Sequence, residues 1–147
     1  MKRVTLDSNP KVSPMADGLS DRHIQADVMS FNVDKWCKSF LDKIKKDWGA
    51  SAVSFVWASP PCAKYSHANT KTCYFEKQPE LNEADAVVRR TLDIINALQC
   101  HAAKMHVPFK YIIENPGGTS LLCADLQSGG NRDVIKGLSF FDVSYCH

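Results

Sequence analysis

No pair of cysteines in this chain is spaced C-x-x-C, although six are present, at 37, 62, 73, 100, 123 and 146. That scatter gives no zinc-site signature, and without a secretory signal it gives no reason to invoke a disulfide framework. Five histidines are present, and none falls in an H-E-x-x-H pattern, so no metal is expected. No apolar run approaches the length of a membrane span, and the N-terminal M-K-R-V-T-L lacks the long apolar core of a signal peptide. The expected location is therefore intracellular. A formal net charge of only +2 excludes a strong basic field, so any grip on nucleic acid must come from local patches or another segment.

What is present is the composition of an ordinary globular chain. With 147 residues, 44% of them hydrophobic and 23% charged, it can bury a real core as one domain, 1–147. Val4-Thr5-Leu6 is a short β-type run that breaks at D-S-N-P, and residues 11–22 are polar and contain Pro and Gly, as a loop would. A brief extended piece at 23–26 leads to Asp27. Val33, Trp36, Cys37, Phe40, Leu41 and Ile44 then recur at helical spacing, with Asn32 as N-cap and Gly49 as stop.

Residues 52–58 are continuously apolar, the pattern of a strand covered on both faces of a parallel sheet. The run ends in S-P-P-C. Two prolines stop sheet pairing and hold the next residue, Cys62, on a stiff turn at the strand's end. A polar stretch follows, too long for a simple turn. A second helix is expected from about Asn82 to about Ala103, with Val87, Thr91, Ile94, Ile95, Leu98 and Ala102 on one face. Another buried-type strand, F-K-Y-I-I at 109–113, ends in E-N-P-G-G, and the tail L-S-F-F-D-V-S-Y-C has the character of a last strand. Alternation of this kind predicts an α/β fold, a mostly parallel sheet wrapped by helices, with strand ends at Asp7, Asp27, Cys62 and Glu114 along one rim.

Substrates and cofactors of open α/β sheets bind at such rims, which makes these four residues functional candidates. Each has a plainer alternative. Asp after a strand is more often a turn or cap residue, Glu114 could be solvated, and Cys62 could be one more small buried apolar side chain. The joint pattern, one strand ending in P-P-C and the next in E-N-P, separated by one long helix, raises the functional reading.

On those residues the sequence resembles the DNA cytosine-5 methyltransferase family, in the manner of a small, phage-like or truncated member. Pro60-Pro61-Cys62 with Tyr65-Ser66 is similar to the family's Pro-Cys motif and its following aromatic-Ser pair. Glu114-Asn115-Pro116 stands where the family has Glu-Asn-Val, and Asp7 and Asp27-Val28 stand where it binds cofactor. The resemblance implies a Rossmann-like, S-adenosylmethionine-dependent methyltransferase sheet and a reaction on a flipped-out cytosine of DNA. It implies Cys62, Glu114 and Asn115 as catalytic residues, Asp7, Asp27, Val28 and Pro61 at the cofactor, and Pro60, Tyr65 and Ser66 at the substrate. RNA is a closer variant of the same reading.

The chain departs from the family at both ends. The family's first strand and Gly-rich cofactor loop have no counterpart before Val4. Its later strands, its Arg-containing motif and a separate target-recognition domain have none after the last matched strand. A sheet without its first strand leaves an open edge, so a second polypeptide or self-association is expected. Two other readings stay open: an amino-group methyltransferase, which would carry an aromatic residue in place of Cys62, and a non-catalytic or split-enzyme module that binds cofactor or a partner chain.

Overall fold

The computed structural model describes residues 2–8, 21–61, 78–114 and 138–139. Four short strands and two helices lie in them: β1 (Val4–Asp7), β2 (Arg22–Gln25), α1 (Val33–Trp48), β3 (Phe55–Ala58), α2 (Gln78–Lys104) and β4 (Lys110–Ile113). The chain divides into two compact units, residues 1–53 with 93–108, and residues 54–92 with 109–147. Helix α2 runs through both, contributing its second half to the first unit and its first half to the second.

In the first unit β1 pairs with β2 in parallel, Val4 opposite Arg22 and Asp7 opposite Gln25. The start of the pair is pinned by Asp21, whose carboxylate accepts from Lys2 Nζ at 2.9 Å and from the Arg3 backbone N–H at 2.8 Å. The Lys2 hydrogen bond, followed by that from Arg3, holds the Asp21 carboxyl below the usual range. Within the ladder Thr5 Oγ1 lies 2.8 Å from Nδ1 of its registered partner His23. Arg22 pairs with Asp47 near the end of α1 and lies over the Trp48 ring, 5.1 Å from its centroid.

Helix α1 follows from its sequence. Asn32 is extended and its side chain accepts the Lys35 N–H at 3.0 Å, satisfying one of the donors that a helix start leaves unpaired. Val33, Cys37, Leu41 and Ile44, spaced at three and four, form its buried stripe. Gly49 ends it in the left-handed region at φ +67°, its N–H returning to the Lys45 carbonyl at 2.9 Å. Helix α2 ends in a comparable way on a residue that carries a side chain. His106 takes φ +55°, with His106 N–H bonded to Ala103 O at 3.1 Å and Val107 N–H to Ala102 O at 2.9 Å. The two caps should answer substitution with opposite signs. Gly49→Ala meets no atom within 4 Å, so backbone strain alone lowers stability, by about 1 kcal/mol, whereas His106→Gly relieves that strain and raises stability by about the same amount. Urea unfolding of the two variants measures both.

Cys37 is sealed in the α1 stripe at 4% exposure. Burial, and then the nearby Asp34 charge, push its thiol up to about 11. The folded chain keeps that proton when the unfolded chain loses it. The contribution to stability is therefore complete below a pH of about 9 and disappears as pH rises through 11. The urea midpoint should fall between pH 8 and pH 10.5, and less so in Cys37→Ala.

In the second unit β3 pairs with β4 in parallel, Phe55 opposite Lys110 and Ala58 opposite Ile113. Ala84 and Val88, one helical turn apart on α2, are buried, and so is Asp85 beside them. Helix α2 begins at Gln78, four residues before the expected Asn82. Pro79 falls in its first turn, where the missing N–H breaks no helical bond, so it starts the helix rather than preceding it. The buried stripe of α2 is Ala84, Val88, Ile94, Ile95, Leu98 and Ala102, and the expected Val87 and Thr91 are only half-buried. Thr91 Oγ1 instead donates back to the Val87 carbonyl at 2.9 Å.

Two expectations are corrected. The expected strand at 52–58 is shorter and one-sided: Phe55 and Trp57 are 39% and 57% exposed, while Val56 and Ala58 are half-buried. Its first residues lie before the ladder, where His101 Nε2 donates to Ser51 O at 3.0 Å and Lys110 N–H to Ser54 O at 3.0 Å. The described strands also form two two-stranded sheets, rather than one sheet with a single rim. Hydrophobic periodicity marks strands, but it does not choose their neighbours. The α/β class with parallel strands holds. Among the described residues no helix is long and apolar enough to cross a membrane.

Candidate functional site

Two strand ends carry the candidate residues, and each belongs to its own unit. The β3–β4 pair keeps a constant offset of 55 residues, so the residue that follows Ala58 stands opposite the residue that follows Ile113. These are Ser59 and Glu114. The Glu114 N–H extends the ladder by one bond to Ala58 O at 2.8 Å, and Ser59 Oγ donates to Glu114 Oε2 at 2.6 Å. Glu114 is thus held at both its backbone and its carboxyl group by β3 and the residue after it, and it is half-buried. Pro60, next in the chain, is buried, and Pro61 is exposed. Together the prolines end the ladder, as the sequence predicts. Cys62, Tyr65, Ser66 and Asn115, the other residues assigned to this end, lie outside the described residues.

Ser59 is the residue that sequence reading missed. Its signal was available in the alternation of β3: Ser59 shares its face with Phe55 and Trp57, and it is the first polar position on that face. Recognising it required the register with β4, which no local pattern carries.

The other strand end belongs to the β1–β2 pair. Asp7 closes β1 half-buried, and its carbonyl accepts the Ala26 N–H at 3.1 Å. Asp27 follows two residues after Gln25, the partner of Asp7, so both carboxylates stand at the same end of this sheet. Asp27 is exposed and builds the turn that follows: Oδ1 accepts the Met29 N–H at 2.9 Å, and its carbonyl accepts from Ser30 Oγ at 2.7 Å and Ser30 N–H at 3.0 Å. This is the plainer role that sequence reading weighed for an Asp after a strand, and it engages one carboxylate oxygen. Val28 lies half-buried inside the same turn.

Immediately beyond, Phe31, Trp36 and Phe40 stack in sequence, with centroids 5.0 and 5.1 Å apart and planes 18° and 9° from parallel. Their spacing of five and four residues was visible in the sequence, although only Trp36 and Phe40 were read there, as part of the helix stripe. Among the described residues no group of three or more His, Cys, Asp or Glu side chains could hold a metal ion.

The chain matches no protein-family model, no curated protein and no solved structure.

Proposed function

We propose that this chain is an S-adenosylmethionine-dependent cytosine-5 methyltransferase of Rossmann-like fold, acting on DNA. The observation that carries the reading is the shared end of β3 and β4. Glu114 is fixed there beside Ser59-Pro60, and Cys62 is the residue that follows Pro61 in the sequence. A carboxyl group at the end of one of these paired strands and a thiol that follows the other in sequence are the two groups that this chemistry requires.

Carbon 5 of cytosine is a weak nucleophile. In this reading the Cys62 thiolate adds to carbon 6, and the electron pair of the 5,6 double bond moves onto carbon 5. Negative charge develops toward N3, where Glu114 donates a proton or hydrogen bond. Carbon 5 then takes a methyl group, after which its proton leaves to a base, the carbon–sulfur bond breaks and the thiolate returns. S-adenosylmethionine, when bound, supplies that electrophilic methyl.

The β1–β2 end has acceptors of the right kind for this cofactor. The carboxylates of Asp7 and Asp27 stand at one end of the sheet, suited to ribose hydroxyls and an adenine amine. Asp27 gives only one oxygen to its own turn.

The test is an oligonucleotide carrying 5-fluorocytosine, in which fluorine replaces the proton that must leave and so traps the covalent species. With S-adenosylmethionine binding confirmed by calorimetry, the chain should gain the mass of one DNA strand plus one methyl group. No adduct under those conditions overturns the reading, and an adduct with RNA in place of DNA moves the activity to the RNA variant. A second reading, in which the chain completes its site with a partner chain, is favoured by the exposure of Phe55 and Trp57 on one face of β3. It predicts that the adduct forms only above the concentration at which the chain self-associates or in the presence of that partner.

A further inference from the structure

We infer that Ser59 is a positioning residue for Glu114, selecting which of its two carboxyl oxygens meets the substrate; this inference rests on the methyltransferase reading above. Glutamate at a strand end ordinarily samples many rotamers. Here both ends of the residue are tied to neighbouring chain: the backbone N–H to Ala58 O at 2.8 Å, and Oε2 to Ser59 Oγ at 2.6 Å. The second distance is at the short end for O–H···O contacts, as expected when the acceptor is a carboxylate.

Because Ser59 donates to Oε2, the position of the other oxygen is defined. Among the described residues Oε1 makes no hydrogen bond. When Glu114 takes up a proton, Oε2 still accepts from Ser59, so the proton is carried on Oε1. That oxygen can donate to N3 as the thiolate adds to carbon 6, and no rotation of the carboxyl group is needed during the step. Ser59 acts through Glu114 in this arrangement.

The inference predicts a specific pattern among variants of the full chain. Ser59→Ala should lower kcat for methyl transfer about tenfold and leave KM for S-adenosylmethionine unchanged, because the carboxylates assigned to the cofactor, Asp7 and Asp27, belong to β1 and the turn after β2 and the substitution keeps Pro61. Ser59→Thr keeps a β-hydroxyl on a residue suited to strands, and should recover kcat to within about threefold of the original. Glu114→Gln should cost about 100-fold or more, and adding Ser59→Ala to it should cost nothing further, since the two residues act as one unit. In parallel, 13C relaxation of the Glu114 side chain should show increased motion in Ser59→Ala but not in Ser59→Thr, with the Glu114 amide still protected by its bond to Ala58.

Unchanged kcat in Ser59→Ala, additive losses in the double variant, or unchanged Glu114 motion would each overturn the inference. If the original chain transfers no methyl group at all, the methyltransferase reading falls, and the relaxation measurement alone decides whether Ser59 holds Glu114.

Discussion

Cys62→Ser should abolish the proposed methyl transfer, by a factor of at least about 1,000 in kcat, and remove the mass shift with 5-fluorocytosine DNA. The expectation follows from the nucleophile. A cysteine thiol loses its proton at a pKa of about 8.5, so a usable fraction is thiolate near neutral pH, and sulfur attacks readily. A serine hydroxyl at the same place is almost wholly protonated and a poorer nucleophile. Removing the attacking atom from a unit of catalytic residues typically eliminates most of the acceleration that the unit provides.

The matched control is Cys100→Ser. Cys100 is a free, exposed cysteine on α2 and is none of the residues assigned to the proposed site, so its loss removes a surface thiol and leaves every assigned residue in place. It should retain full transfer and full adduct. Alkylation adds a second comparison: iodoacetamide should reach Cys100 before the buried Cys37, and activity should be indifferent to the Cys100 modification. If Cys62→Ser keeps more than a tenth of the original rate while Cys100→Ser is normal, covalent activation is wrong. An amino-group methyltransferase, which needs no nucleophile, then becomes the better reading.

The local elements were largely legible in the sequence, because the forces that set them act over short stretches of chain. Asn32 and Gly49 bracket α1 where cap chemistry places them, and the stripe Val33, Cys37, Leu41 and Ile44 follows from a period of 3.6. The end of β3 was legible for the same reason, since proline cannot pair. Three features were not. Burial on both faces of β3 was inferred from composition alone, yet Trp57 is 57% exposed, because an apolar run says nothing about what covers it. The division into two strand pairs depends on pairing between segments far apart in sequence. Ser59 gained its significance only from its register partner, 55 residues away. At the candidate sites, Asp7, Asp27, Pro60, Pro61 and Glu114 fall at strand ends as expected. Asp27 also takes up the ordinary turn role, which the sequence allowed equally well.

Ile95→Ala should lower the free energy of unfolding by about 3 kcal/mol. Ile95 is 1% exposed on α2, among Ile94, Leu98 and Ala102, which are also buried. Removing three buried carbons loses their transfer energy from water, and the vacated space adds a cavity term because the surroundings relax only partly. Together these give about 2–5 kcal/mol for such truncations. Alanine is the better helix former, by about 0.4 kcal/mol, which places the expected value away from the top of that range. Ile95→Val removes one methyl and should lose about 1 kcal/mol. Asn96 is the next residue on the same helix and is exposed, so Asn96→Ala should change stability by no more than about 0.5 kcal/mol. The comparison separates burial from helix propensity, because both alanines improve propensity and only one empties a packed position. Urea midpoints should therefore fall in the order Asn96→Ala, Ile95→Val, Ile95→Ala. An Ile95→Ala midpoint equal to that of Asn96→Ala would mean that this face of α2 is not packed in solution. Since a domain of ordinary stability has about 5–15 kcal/mol to lose, Ile95→Ala should remain folded at room temperature but melt well below the original chain.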